Sequence, residues 1–183
     1  MVINFIGLCG SGKTTLAKKL SKHYKLPILT IGEFRKQVKI FYLTKNKFKE
    51  LYVSDEDEFY HHIEHLAWIK MFTSAAKLMF RNYIICTSGL NGRLDFLLRA
   101  SHDVINVKLI CPLKILKQRL AKRHIAPQPW FYGSIGYEGF NEHIKQSLKD
   151  RRAEITIDTG KYDREQVYKL AVKKINEREK WEK

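Results

Sequence analysis

At 183 residues the chain has material for one hydrophobic core and too little for two ordinary domains, so a single domain over 1–183 is expected. An apolar fraction of 44% with 12% aromatics excludes a disordered chain, and no apolar run nears the roughly 20 residues of a membrane helix. The 34 Lys and Arg against 19 Asp and Glu leave a net charge of +15. That excess points to a polyanionic partner, most simply DNA or RNA, with a plainly lysine-rich composition as the alternative.

Val2-Ile3-Asn4-Phe5-Ile6 reads as a buried strand, and Thr15-Leu16-Ala17-Lys18-Lys19-Leu20 has helical spacing. Between them lies Gly7-Leu8-Cys9-Gly10-Ser11-Gly12-Lys13-Thr14, which fits G-x-x-x-x-G-K-[ST], the phosphate-binding P-loop, in the strand-loop-helix context that motif needs. Glycines let successive backbone N–H groups turn inward around phosphate oxygens, and the positive end of the helix dipole faces the same anion. Gly10, Ser11, Gly12, Lys13, Thr14 and Thr15 are therefore the expected ATP-binding residues. Lys13 supplies a mobile charge for the outer phosphates, and Thr14 supplies a hydroxyl for Mg²⁺.

After the first helix (about 13–24), Ile28 to Ile31 is predicted as a second short strand closed by Gly32, and Glu33-Phe34-Arg35 as the start of a helix to about Leu43. Thr44 to Tyr52 alternates lysines with aromatics. Ser54-Asp55-Glu56-Asp57 reads as a capping box for a long helix to about Phe80. His61, His62 and His65 lie on that helix without a metal-binding motif around them and are read as structural. Asn82 to Ser88 is the third strand, with Gly89 to Arg93 as its exit loop and a short helix over 94–100.

Val104 to Cys111 is the fourth strand, and Pro112 begins a helix carrying Arg119 and Arg123. A loop from His124 to Phe140 is rich in Pro, Gly and rings, and a further helix runs to about Arg152. Ile155 to Asp158 is the fifth strand, and Asp163 starts a closing helix with apolar Val167, Leu170, Ala171 and Ile175. Alternating strands and helices predict a three-layer α/β domain with a five-stranded parallel sheet, its ligand outside the carboxyl ends of the strands. Cys9, Cys86 and Cys111, odd in number, read as free thiols of a reducing compartment. No signal peptide and no membrane partner are expected, so the predicted location is the cytoplasm, that of the host for a viral chain.

With the P-loop, Gly32-Glu33-Phe34-Arg35, Arg119 with Arg123, and Ile157-Asp158-Thr159-Gly160 in place, the chain resembles small P-loop kinases over nearly its whole length. Two branches compete. In cytidylate-type kinases a Gly-Glu/Asp…Arg segment opens the acceptor-binding helices (here about 33–80), and a lid with arginines follows the fourth strand (here about 119–145). Their Ile-Asp-Thr ending lies near the base of ATP, which implies Thr159 as a nucleotide-binding residue. In the polynucleotide-kinase-like branch the third strand leaves through a Thr-x-x-Leu-Asn-x-Arg segment, to which Thr87 through Arg93 is similar.

The resemblance implies an ATP- and Mg²⁺-dependent kinase. Its acceptor would be a hydroxyl on nucleic acid, at a 5′ end or on a hydroxymethylated base, or a nucleoside monophosphate. A P-loop protein that binds nucleotide and nucleic acid without transfer is the third reading, since Cys86-Thr87-Ser88 offers no acid to hold magnesium through water. Glu33 is the expected base or outer-shell magnesium ligand, and Arg35 the contact to acceptor phosphates. Arg119 and Arg123, one turn apart, would stabilise the transferring phosphoryl group. Asn91, Arg93 and Trp130 complete the expected acceptor contacts. Cations and rings interleave over 35–52 and 123–140 as a nucleic-acid surface would, but any single ring, Phe41 and Phe48 included, is expected in the core, and only Trp130-Phe131-Tyr132 is read as a ligand or lid contact.

Overall fold

In the computed structural model, residues 1–44, 56–87, 98–122 and 153–180 are described. Five strands, β1 (Val2–Gly7), β2 (Ile28–Thr30), β3 (Tyr83–Cys86), β4 (Val104–Ile110) and β5 (Ile155–Asp158), form one sheet in the order β2-β3-β1-β4-β5. Every pairing is parallel. Around it lie α1 (Lys13–Tyr24), α2 (Ile31–Leu43), α3 (Glu56–Lys77), α4 (Leu113–Ala121) and α5 (Arg164–Lys180), with a helical turn at 98–101.

The strands are apolar on both faces because helices cover both. By the two-residue alternation of a strand, Val2 and Ile6 of β1 pack with Tyr83, Ile85 and Val104 against Ile31 and Val38 of α2 and Ile63, Ala67 and Met71 of α3. Ile3 and Phe5 pack on the opposite face with Ile84, Val107 and Ile157, against Leu16 and Leu20 of α1 and Val167, Ala171 and Ile175 of α5. This is the expected three-layer α/β architecture. Asn4 and Asn106 interrupt the apolar run as register partners, and their buried amides pair at 2.6 Å. That bond lowers the cost of placing polar groups in the core.

The predicted boundaries shift for local reasons. Ile31 belongs to α2 and not to β2, so Gly32 lies inside the first helical turn and does not close the strand. Thr30 is the cap: its Oγ1 accepts the Glu33 N–H at 3.3 Å, which makes Thr30-Ile31-Gly32-Glu33 a capping-box pattern that the apolar spacing hid. Pro112 sits one residue earlier than expected, as the N-cap of α4, with its carbonyl accepting from the Ile115 and Leu116 amides. The long helix α3 stops at Lys77, where i to i−3 bonds at Leu78 and Met79 tighten the chain, and Phe80 is left 92% exposed. At α5 the sequence expectation holds. Asp163 Oδ1 accepts the Glu165 and Gln166 amides at 2.8 Å, and Gln166 Oε1 accepts the Asp163 amide. The Ser54 cap lies outside the described residues, as do the start of the helix expected at 94 and the helix expected to end at Arg152. No described helix is long and apolar enough to cross a membrane.

Burial at the base of β3 gives the fold an alkaline sensitivity. Tyr83 is 1% exposed, and desolvation pushes its phenol from 10.0 up to about 12. From about pH 10 the unfolded chain ionises at this site while the folded chain does not. The contribution of Tyr83 is therefore complete below pH 10 and declines toward 12. Denaturant melts of wild type and Tyr83→Phe across that range should show a shallower alkaline loss in the variant; identical slopes would contradict this account.

Candidate active site

The carboxyl end of β1 feeds the loop that starts α1. Gly7, at φ 148°, is the register partner of Leu109 on β4, and a Cβ there would run into the Leu109 backbone carbonyl. Only glycine lets these two central strands remain so close where the chain turns out of the sheet. Gly12, at φ 93°, is the left-handed N-cap of α1, with no side-chain cap bond and no acidic residue in the helix's first turn. The leading amides of α1 thus lack the carboxylate or hydroxyl partner that usually neutralises a helix start. This is an anion cradle in backbone form.

Lys13 Nζ donates to the Gly7 and Leu8 carbonyls at 2.7 and 2.8 Å, so the ammonium is parked on the loop's own backbone. Thr14 Oγ1 lies 3.8 Å from Cys86 Sγ at the end of β3. The Cys86 thiol is pushed up by burial, opposed by the charge of Lys13 and the Thr14 hydroxyl. The described donors that a cation would meet are therefore hydroxyl and protonated thiol. A hydroxyl fits Mg²⁺ when phosphate oxygens and water complete the shell.

Gly10, Ser11, Gly12, Thr15, Arg119 and Thr159, all expected site residues, line a single pocket of about 440 Å³. Leu16, Lys19, Lys122, Tyr162, Asp163, Arg164 and Val167 complete its walls and were not expected there from the sequence. Their signal is weak, because surface lysines and a tyrosine in a turn have no motif. Thr159 ties the pocket together. Its hydroxyl donates to the Ser11 carbonyl at 3.0 Å and accepts from Arg119 Nη1 at 3.1 Å, while Arg119 Nη2 donates to the Thr159 carbonyl. Arg119 is thus tied to the exit of β5, and through Thr159 to the β1–α1 loop, by contacts that spacing alone did not reveal.

The acceptor candidates lie on the other face of the sheet, on α2. The Glu33 side chain is 55% exposed in the first turn, with its carboxylate 4.0 Å from Lys18 Nζ. Arg35 does not stand as an open cation. Its guanidinium forks onto Glu64 of α3, with Nη2 to Oε1 at 2.7 Å and Nε to Oε2, and the Trp68 indole donates to the same Oε1 at 2.8 Å. Phe41, for which the core is the sequence expectation, is 53% exposed on α2, edge-on to Tyr42. His62 packs edge-on against Tyr42. Asn91, Arg93, Arg123 and Trp130 lie outside the described residues, as does nearly all of the expected lid.

No protein-family model and no curated protein matches the sequence. Solved structures match the fold over almost the whole chain. Shikimate kinase from Aquifex aeolicus is 15% identical, with 96% of each chain covered and a TM-score of 0.62. A gluconokinase from Sinorhizobium meliloti is 13% identical, covering 96% of this chain and 91% of its own, with a TM-score of 0.61. Deoxyadenosine kinase from M. mycoides with bound dATP is 18% identical, covering 96% and 100%, with a TM-score of 0.60. The fold is that of the small P-loop kinases, and the likeness favours neither the polynucleotide-kinase-like nor the cytidylate-type branch.

Replacing Thr159 with valine keeps the shape but leaves the Ser11 carbonyl and Arg119 short of a partner. The expected result is a loss of about 1–3 kcal/mol in stability, with weaker nucleotide binding, read by denaturant melts and calorimetry. Unchanged values in both would show that the tie is incidental.

Proposed function

We propose that the protein is an ATP-dependent phosphotransferase that moves the γ-phosphoryl group of ATP to a hydroxyl on nucleic acid. The observation that carries the phosphotransferase reading is the uncapped start of α1 behind left-handed Gly12, opening beside the Thr159–Arg119 pocket. A cradle of amides and a pocket on the α1 and α5 side suit the phosphates and the body of a nucleotide, respectively. Neighbours named as shikimate kinase, gluconokinase and deoxyadenosine kinase support transfer to a hydroxyl.

Lys13 would leave the Gly7 and Leu8 carbonyls for the β- and γ-phosphate oxygens, which neutralises charge as the bond to the leaving ADP lengthens. Thr14 would hold the Mg²⁺ that accompanies ATP, and that ion would supply positive charge against the phosphates. Glu33 would orient the acceptor hydroxyl and take its proton as the oxygen bonds to phosphorus. Arg119, held by Thr159 on the pocket wall, would cover the donor nucleotide; Arg123, four residues on in sequence, is the proposed partner at the γ-phosphate. Thr15 would cap the phosphates from the first turn of α1. Asn91, Arg93 and Trp130 are proposed contacts to the acceptor strand.

The nucleic-acid acceptor rests on the net charge of +15 and on α2, where Lys36 and Phe41 are both exposed. Cations track a phosphate backbone and rings stack on unpaired bases. The second reading, a nucleoside monophosphate acceptor, rests on the Gly32-Glu33-Phe34-Arg35 segment at the start of α2.

Labelled ATP offered with 5′-hydroxyl oligonucleotides, hydroxymethylated DNA and mononucleotides should label nucleic acid, with binding that weakens steeply as salt rises. Labelling of mononucleotides alone would select the second reading. No label on any acceptor, with ATP still bound, would indicate a binding protein without transfer. Lys13→Ala should lower transfer by about 10²–10³-fold or more while leaving the fold intact. A variant retaining near-full activity would overturn the site assignment.

A further inference from the structure

The third strand ends on a hydroxyl that no partner inside the protein satisfies. It bears on how the acceptor is seated, an inference that rests on the phosphotransferase reading above. Thr87 follows β3, and its amide donates to the Phe5 carbonyl at 3.2 Å, so the pairing of β3 with β1 runs one residue past Cys86. Thr87 is 1% exposed, and its Oγ1 has no hydrogen-bond partner among the described residues. A buried hydroxyl left unpaired weakens a fold, so its presence at a functional edge points to a partner from outside.

Strand alternation fixes the side on which it lies. Cys86 belongs to the α1 and α5 face, with Sγ 3.8 Å from Thr14 Oγ1. Ile85 belongs to the α2 and α3 face, and Thr87, two residues on, shares that face. Ile6, Ile31 and Ile85, buried on this face toward the carboxyl edge, are apolar and offer a hydroxyl nothing. Thr30, the register partner of Cys86 on β2, has its own hydroxyl engaged by the Glu33 amide. Two further buried side-chain oxygens lack partners. Ser11 Oγ lies in the P-loop, 3.1 Å from where a Cβ on Gly7 would stand, and Asn4 Oδ1 lies deeper on the face of Thr87, two residues before Ile6.

The strand order gives the position its meaning. β3 lies between β2, which feeds α2 and Glu33, and β1, which feeds the P-loop. A phosphoryl group passing from the loop to an acceptor beside α2 crosses the end of β3. Half-buried Leu8 of the loop and Phe34 of α2 pack on the same face as Thr87.

We propose that Thr87 is an acceptor-binding residue, whose hydroxyl donates to the acceptor oxygen as that group enters between the P-loop and the start of α2. The oxygen keeps its other lone pair for phosphorus, its own hydrogen passes to Glu33, and the bond to the leaving ADP breaks as before. The substrate supplies the partner that Thr87 lacks in the free protein.

The test compares Thr87→Val, which replaces the hydroxyl with a methyl of similar shape, with Thr87→Ser, which keeps it. Each is melted in denaturant and titrated calorimetrically with β,γ-imido-ATP. With that analogue bound, each is titrated with a 5′-hydroxyl oligonucleotide and with hydroxymethylated DNA, and each is assayed for transfer from labelled ATP. Thr87→Val should melt at the wild-type midpoint or above it and bind β,γ-imido-ATP as wild type does, since it removes an oxygen that the protein leaves unpaired. Its acceptor affinity and its transfer should fall about tenfold, and Thr87→Ser should recover both.

A lower midpoint for Thr87→Val, or its failure to fold, would overturn the inference, because the hydroxyl would then have an internal partner, such as a water shared with Asn4 Oδ1. Unchanged acceptor binding, weaker binding of β,γ-imido-ATP, an equal loss in Thr87→Ser, or a wild type that binds neither acceptor overturns it as well. If wild type binds an acceptor without transferring phosphate and Thr87→Val binds it more weakly, the role of Thr87 stands and the phosphotransferase reading fails separately.

Discussion

The start of α1 is the constraint on which the remaining geometry depends. A helix of 12 residues begins at Lys13 with its leading amides unclaimed by any cap. Free N–H groups are costly where water is displaced, so such a start is stable only if solvent or an anion satisfies it. The chain reaches that start through Gly7, pressed against the Leu109 carbonyl, and through left-handed Gly12. A side chain at Gly7 would push apart β1 and β4, the central pair of the sheet. The same few backbone angles therefore set strand spacing and the direction in which the helix dipole points.

Two faces of one sheet then divide the work. Odd-numbered residues of β1 send Ile3 and Phe5 toward α1 and α5, where the Thr159 hydroxyl joins the loop, the β4 exit and Arg119. Even-numbered residues send Val2 and Ile6 toward α2 and α3, where Arg35 is clamped on Glu64. Parallel strands place both sets of exit loops at one edge. The P-loop and the start of α2 thus share an edge while each is supported by its own packed layer.

The electrostatics differ between these layers. On the α1 side the pocket gathers Lys19, Arg119, Lys122 and Arg164 with the acid Asp163, and Lys19 is paired with Glu165 at 2.8 Å. On the α2 side Arg35 is paired with Glu64, Glu33 meets Lys18 of α1 at 4.0 Å, and Lys36 is exposed. Net charge in the sequence therefore does not say which cations are paired, since pairing depends on which side chains the fold brings within a few ångströms.

The sequence by itself determined the P-loop, the alternation of strands and helices, the parallel sheet and the cap at Asp163. Each of these is encoded within a few neighbouring residues, by glycine angles, two-residue alternation or a side chain reaching its own helix start. Thr30 shows the limit of that reading, since its cap was present in the spacing to Glu33 but was masked by the apolar run before it. Only the tertiary structure decided the strand order β2-β3-β1-β4-β5, the Arg119–Thr159–Ser11 tie across 148 residues of chain, and the pairing of Arg35 with Glu64 across 29. Those contacts join residues far apart in sequence, and no local preference specifies a partner that only packing brings near.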